Sequence, residues 1–166
     1  SGLVLREVND KEADKILTVL TADEGKLTIS ARGARRRGSR IGAAAQLLAY
    51  SDMTLFQNKG RWSLNEAETR ELFPGLRQDL GRLALGTYMA ELLEALSDED
   101  SRSPELLPLG LNSLYAVAAG REKALVKAAF ELRLLCLSGY APDLFACSVC
   151  GREAPEQPRF DTRAGC

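Results

Sequence analysis

The nine residues Arg32-Gly-Ala-Arg35-Arg36-Arg37-Gly-Ser-Arg40 carry five guanidinium groups on a segment punctuated by glycine. Each guanidinium is permanently charged and presents a planar fork of donors that matches phosphate oxygens. Spaced along a flexible Gly/Ser segment, such groups each reach a different phosphate of a polyanion and displace its condensed counterions. The chain as a whole offers no such attraction, because 22 Lys+Arg stand against 23 Asp+Glu and the net charge is -1. The attraction is local: from Lys26 to Ser51 there are six basic residues and no acidic one. Lys26 and Arg32, at the two ends of the preceding strand pattern, extend the cationic face, so Lys26, Arg32, Arg35, Arg36, Arg37 and Arg40 are the candidate phosphate contacts. The competing reading of any charge run is a solvated surface loop.

A second constellation lies at the far end. Cys147-Ser-Val-Cys150 is followed after fifteen residues by Cys166. Thiolate pairs on tight knuckles supply the corners of a tetrahedral zinc site. Cys147, Cys150 and Cys166 give three corners, and the fourth is expected three positions beyond Cys166, so the zinc ribbon is expected to be incomplete here. Gly151 after the second cysteine favours zinc, since a knuckle needs a residue that tolerates unusual φ. The alternatives are plain thiols in a reducing cytosol or a redox pair, which would want an adjacent βαβ pattern that the sequence lacks. Cys136, beside Leu135 in a helical pattern, reads as a small buried hydrophobe.

Histidine is absent from the chain. That excludes Ser-His-Asp and Cys-His catalysis and every histidine-containing metal site. No glycine-rich phosphate loop or paired acidic motif frames the remaining carboxylates and lysines, so a binding protein with neither catalysis nor a nucleotide cofactor is expected.

The elements that position these groups fall into two halves. Residues 3 to about 70 read as five short strands. Lys26 to Arg32 alternates strictly, with Leu27, Ile29 and Ala31 on a core face. Leu3–Val8 and Ile16–Leu20 precede it, the latter joined through a turn closed by Gly25. Leu47–Gln57 and Arg61–Asn65 follow, joined by Asn58-Lys-Gly60. Five strands in about 70 residues, with glycines for bends, suggest a small closed barrel of the OB type, a fold that recurrently grips oligonucleotides. An SH3-like barrel or an open meander is the alternative.

From Pro74 the pattern turns helical. Leu76, Leu80 and Leu83 recur at i, i+4 and i+7, and the stripe continues through Met89, Leu92, Leu93 and Leu96. Residues 97–101 form a solvated break. Ser103 as N-cap and Pro104 at the first helical position then open a helix ending near Gly120. A third helix over 122–138 places Leu125, Ala129, Leu132 and Leu135 on one stripe and stops at Gly139. The class is α+β: residues 1–75 an OB-fold domain, 76–145 a helical domain, 146–166 the incomplete zinc module. No run approaches the roughly 20 apolar residues that cross a bilayer, and the N-terminus lacks a secretory pattern, so a cytoplasmic protein is expected.

In order, Leu3-Val-Leu-Arg6, Ile16–Thr21, Gly25-Lys26, Ala31-Arg-Gly-Ala-Arg35 and Ser39-Arg40 resemble the OB-fold domain of the bacterial RecO family of DNA recombination and repair mediators. Phe130-Glu-Leu-Arg-Leu-Leu135, Gly139-Tyr140, Pro142 and Cys147-x-x-Cys150-Gly151 resemble its helical and zinc portions. The chain departs from the family pattern at Gln46-Leu47-Leu48, where the family has Pro-Phe. The resemblance implies a non-enzymatic protein of the bacterial cytoplasm, associated with the nucleoid. It would bind single- and double-stranded DNA, anneal complementary strands, and work with RecR to load RecA onto DNA coated by single-strand-binding protein, with no membrane partner.

Two further sets of residues belong to that picture. Tyr50, Phe56 and Trp62 are candidate stacking platforms for bases, although each also reads as core. Arg121, Lys123 and Lys127, beside Leu125 and Phe130, could form a basic rim and apolar groove for the acidic C-terminal tail of the single-strand-binding protein. Ordinary amphipathic packing explains the same residues. Two rival classes stay open on sequence alone: a non-catalytic protein-interaction scaffold, and an RNA-binding OB protein with a zinc ribbon.

Overall fold

A computed structural model describes residues 1–99, 102, 104–142, 144–147, 150–153, 159–161 and 163. The expected N-cap Ser103, part of the expected break at 97–101, and Cys166 lie outside the described residues. Five strands come first: β1 (Gly2–Asp10), β2 (Asp14–Thr21), β3 (Lys26–Ala31), β4 (Tyr50–Asn58) and β5 (Arg61–Glu71). They close into a barrel in the order β1-β2-β3-β5-β4, in which the β3–β5 pair is parallel and every other pair antiparallel. Five strands closing this way form an OB-type barrel. Four helices follow among the described residues: α1 (Pro74–Arg77), α2 (Leu80–Leu96), α3 (Leu106–Ala118) and α4 (Lys123–Leu137). No helix of the described residues is long and apolar enough to cross a membrane.

Strand alternation sets the interior. Val4, Leu17, Val19, Leu27, Ile29, Ala31 and Leu64 point into the barrel, each buried. In β1 the residues between them are also apolar: Leu3 and Leu5 face outward yet are buried, because α2 and α3 cover that side. A strand covered on both faces reads as a continuous hydrophobic run. Fully burying each leucine is worth roughly 1.5–3 kcal/mol, so β1 is the seam that joins the barrel to the helices.

The helical half differs from expectation in three places. Leu76, Leu80 and Leu83 do not share one helix. The chain breaks at Gln78-Asp79, where the Asp79 carboxylate accepts the Arg82 N–H at 2.7 Å as the N-cap of α2. Leu80 is therefore the first residue after a cap and is 83% exposed. Pro104 lies in the turn before α3 rather than at its first helical position. In α4 the core-facing residues are Val126, Phe130, Leu134 and Leu137, and the expected stripe Leu125, Ala129, Leu132 and Leu135 faces outward. Gly139, with φ 84°, ends α4, and the Tyr140 N–H closes the last turn on the Leu135 carbonyl at 2.9 Å.

Candidate nucleic-acid interface

The segment from Arg32 to Ala49 connects β3 to β4 and closes one mouth of the barrel. It is not a flexible loop, because it steps through consecutive turns. The N–H groups of Arg36, Ser39 and Gly42 reach the carbonyls of Gly33, Arg36 and Ser39 at 3.0, 3.0 and 3.3 Å. Its small and apolar residues Ala34, Ile41, Ala45 and Ala49 insert into the barrel core. Leu48 has φ 64° and is buried on the helix side, its N–H donating to the Val4 carbonyl at 2.9 Å. β4 consequently begins at Tyr50, not at Leu47. A leucine in the left-handed region costs free energy, which the burial of its side chain offsets.

Three polar contacts fasten this segment to the β1–β2 turn. Asp14 accepts the Gly33 N–H at 2.8 Å, Ala13 accepts the Arg35 N–H at 2.9 Å, and the Arg35 guanidinium donates to the Glu12 carbonyl at 3.2 Å. Gly33 has φ 68°, which permits the turn that brings its N–H to Asp14. Lys15 adds a fourth tie, donating to the Ala45 carbonyl at 3.0 Å and pairing with Glu7. Nothing in the basic motif marks Asp14 and Lys15. The signal available is their place flanking the β1–β2 turn at the same barrel mouth.

The outcome is a rigid platform with charges turned outward. Arg32, Arg35, Arg36, Arg37 and Arg40 are all exposed, and none forms an ion pair among the described residues. Four of them, Arg32, Arg36, Arg37 and Arg40, line one open depression of about 350 Å³. Its wall is completed by Ser39, Ile41, Leu64 and Asn65. Cations converging on an open concave surface without carboxylates attract a polyanion and leave it room to lie. Asn65 was not anticipated. It enters the site because the parallel pairing of Ser30 with Ser63 puts the residues that follow each of them side by side.

Lys26 does not join this cluster. It stands at the opposite end of β3, where its Nζ donates to the Glu94 carbonyl in the last turn of α2 at 2.8 Å. There it compensates the negative end of the helix dipole.

The candidate residues on the helices are placed differently again. Lys123 sits 3.4 Å from Asp79, and Lys127 is 2.6 Å from Glu131 with its ammonium over the Tyr88 ring. The Tyr88 hydroxyl donates to the same carboxylate. The Lys127 ammonium and then the Tyr88 hydroxyl hold Glu131 below the usual carboxylate range, and Glu131 raises Lys127 in turn. Phe130 is buried in the helical core and lines no surface groove. Leu125 is 66% exposed and Arg121 is exposed.

At the cysteine pair, the Gly151 N–H returns to the Cys147 carbonyl at 2.8 Å and the Cys147 N–H to the Arg152 carbonyl at 2.9 Å. Gly151 has φ 70°. Cys166 lies outside the described residues, and no group of three metal-ligating side chains occurs among the described ones.

Comparison with known proteins covers both halves. Residues 1–73 match the family described as Recombination protein O N terminal, and residues 77–166 match Recombination protein O C terminal. The DNA repair protein RecO of Acetivibrio thermocellus is 39% identical over 152 residues, which cover 91% of this chain and 61% of the relative. That of Symbiobacterium thermophilum is 41% identical over 157 residues, 94% of this chain and 62% of the relative. That of Alkaliphilus metalliredigens is 34% identical over 165 residues, 99% and 67% respectively. The chain thus spans about three fifths to two thirds of the length of these curated relatives.

Proposed function

The chain belongs to the RecO family of DNA repair proteins, and from that premise we propose that it binds DNA through the arginine platform at the β3–β4 mouth and promotes annealing without catalysis. The observation that carries the reading is the exposure of five guanidinium groups, none paired with a carboxylate among the described residues, on a segment locked to a barrel. A backbone already fixed in its turns loses little conformational freedom when its arginines meet phosphates, so less of the electrostatic gain is lost to ordering the segment.

Annealing requires two repelling backbones to be brought together without reading their sequence. Guanidinium groups facing phosphates supply this, since phosphate contacts fix position and carry no base information. Single strands and duplexes both present that backbone, so both are ligands. The longer assembly in which the family works is the wider context of the proposal: cooperation with RecR and loading of RecA onto strands coated by single-strand-binding protein. Zinc, held by Cys147, Cys150 and further thiolates, would brace the C-terminal module structurally and take no part in binding DNA.

The test is a salt titration of affinity for a fluorescent single-stranded oligonucleotide, with the Arg32→Ala, Arg36→Ala, Arg37→Ala, Arg40→Ala quadruple variant beside the wild type. The slope of log affinity against log salt is expected to shrink by about 0.7 per lost phosphate contact, hence by about 3 in all. Annealing of complementary strands should fall with it. An unchanged slope would remove the platform as the DNA site.

A further inference from the structure

The three aromatic candidates on the barrel are separated by the fold. Tyr50 packs against the core shared with the helices, and Trp62 packs against the barrel interior. Phe56 does neither and is 64% exposed on the outer face of β4. An aromatic left this bare on a strand has no packing role that accounts for it.

Its neighbours give the surface a direction. Phe56 pairs across the sheet with Ser63 of β5, and Ser63 pairs with Ser30 of β3. Asn65, two residues beyond Ser63 and about 7 Å along the strand, already lines the arginine depression. Arg61, exposed, pairs with Asn58 at the hairpin end of the same strands. The outward residues of the first half of β5 are therefore Arg61, Ser63 and Asn65, one cation and two polar groups, while Trp62 and Leu64 turn inward. The second half turns acidic with Glu66 and Glu68, which pair with Thr54 and Asp52. A polyanion leaving the arginines is steered along β5 toward Arg61, past Phe56, and away from those carboxylates.

We propose that Phe56 is a stacking platform for one base of single-stranded DNA whose backbone lies in the arginine depression. This rests on the DNA-binding reading above and adds to it a preference for unpaired strands. A base in a duplex is already stacked on its neighbours and has no free face for the ring. An unpaired base has one, and aromatic stacking accepts any base.

The measurement is the affinity of the 166-residue chain for labelled oligo(dT) and for a duplex of equal length, at one low salt concentration, with Phe56→Ala and Phe56→Trp alongside. Phe56→Ala is expected to weaken oligo(dT) binding roughly 5- to 150-fold, the range for losing one stacked base, and to leave duplex binding and the salt slope unchanged. Phe56→Trp should retain the affinity, with its tryptophan fluorescence quenched on addition of oligo(dT). Because the side chain is exposed, both variants are expected to melt at the wild-type temperature. Equal oligo(dT) affinity of Phe56→Ala and wild type overturns the stacking role while the arginine platform stands. Equal losses on single strand and duplex overturn it as well. A wild-type chain that retains neither DNA overturns the DNA-binding reading itself, and the stacking role with it.

Discussion

The arginine segment between β3 and β4 and the helix α4 both present cations to solvent, and they differ in what stands beside those cations. On the segment, none of the five guanidinium groups has a carboxylate partner among the described residues, and no acidic residue occurs between Lys26 and Ser51. On α4, Lys123 faces Asp79, Lys127 faces Glu131 and Arg133 faces Glu105. Exposed pairs of this kind contribute little to stability, because solvent and salt screen them. Their effect on ligands is larger, because a cation with a carboxylate at its side offers an approaching phosphate little net charge. Positive residues mark a polyanion site only where the local acids have been removed, and the sequence shows that removal on the segment alone.

The largest effect that separates the two regions is therefore on salt dependence. Replacing Lys123, Lys127 and Arg133 together by alanine removes three positive charges, close in number to the four of the platform variant. The helix variant is expected to keep the wild-type slope of affinity against salt, where the platform variant loses about 3. If the two variants lost slope equally, the lack of ion pairs to the arginines among the described residues would carry no meaning.

The next effect concerns apolar residues on α4 itself. Phe130→Ala empties a fully buried site and is expected to cost about 3–5 kcal/mol, read from urea unfolding. Leu132→Ala, two residues away on the outward face, is expected to change stability by about 0.5 kcal/mol or less. A cost for Leu132→Ala approaching that of Phe130→Ala would mean that the outer face is packed.

These α4 residues also show where sequence reading stops. Strand β3 was legible because its alternation has a single phase: shifting the register by one residue would bury Lys26, Thr28 and Ser30. In α4 apolar residues occupy almost the whole circumference, from Leu125 and Val126 to Leu134 and Leu135. A period of 3.6 then fits several stripes equally, and the bulk of Phe130 settles which one enters the core. Leu80 misled for a related reason, since the spacing from Leu76 is helical although Asp79 caps a new helix between them. The left-handed Leu48 had no local signal, because a tertiary contact with Val4 imposes it. At the site, the arginines were plain from charge alone. Their anchors Asp14 and Ala13, and the displacement of Lys26 to the far end of β3, follow from barrel closure and were invisible in a linear reading.

The smallest effect returns to charge pairing, at Asp52 on β4. Its carboxylate accepts from the Arg70 guanidinium and from the Ser1 hydroxyl, and chiefly through Arg70 its pKa falls from the usual 3.8 to about 2. A carboxyl more acidic in the folded chain than in the unfolded one stabilises the fold above the unfolded value. That contribution is lost as pH drops through the folded value. The difference in melting temperature between wild type and Asp52→Asn is therefore expected to be constant above pH of about 5 and to shrink between about 4 and 2. Arg70 is exposed and Asp52 only half-buried, so raising the salt to about 1 M should flatten the difference. The arginines of the platform have no such partner among the described residues, so their alanine variants should melt in parallel with wild type across the same pH range. A melting difference for those variants that grew or shrank with pH would show that a carboxylate does pair with the platform in solution, and would return it to the same class as α4.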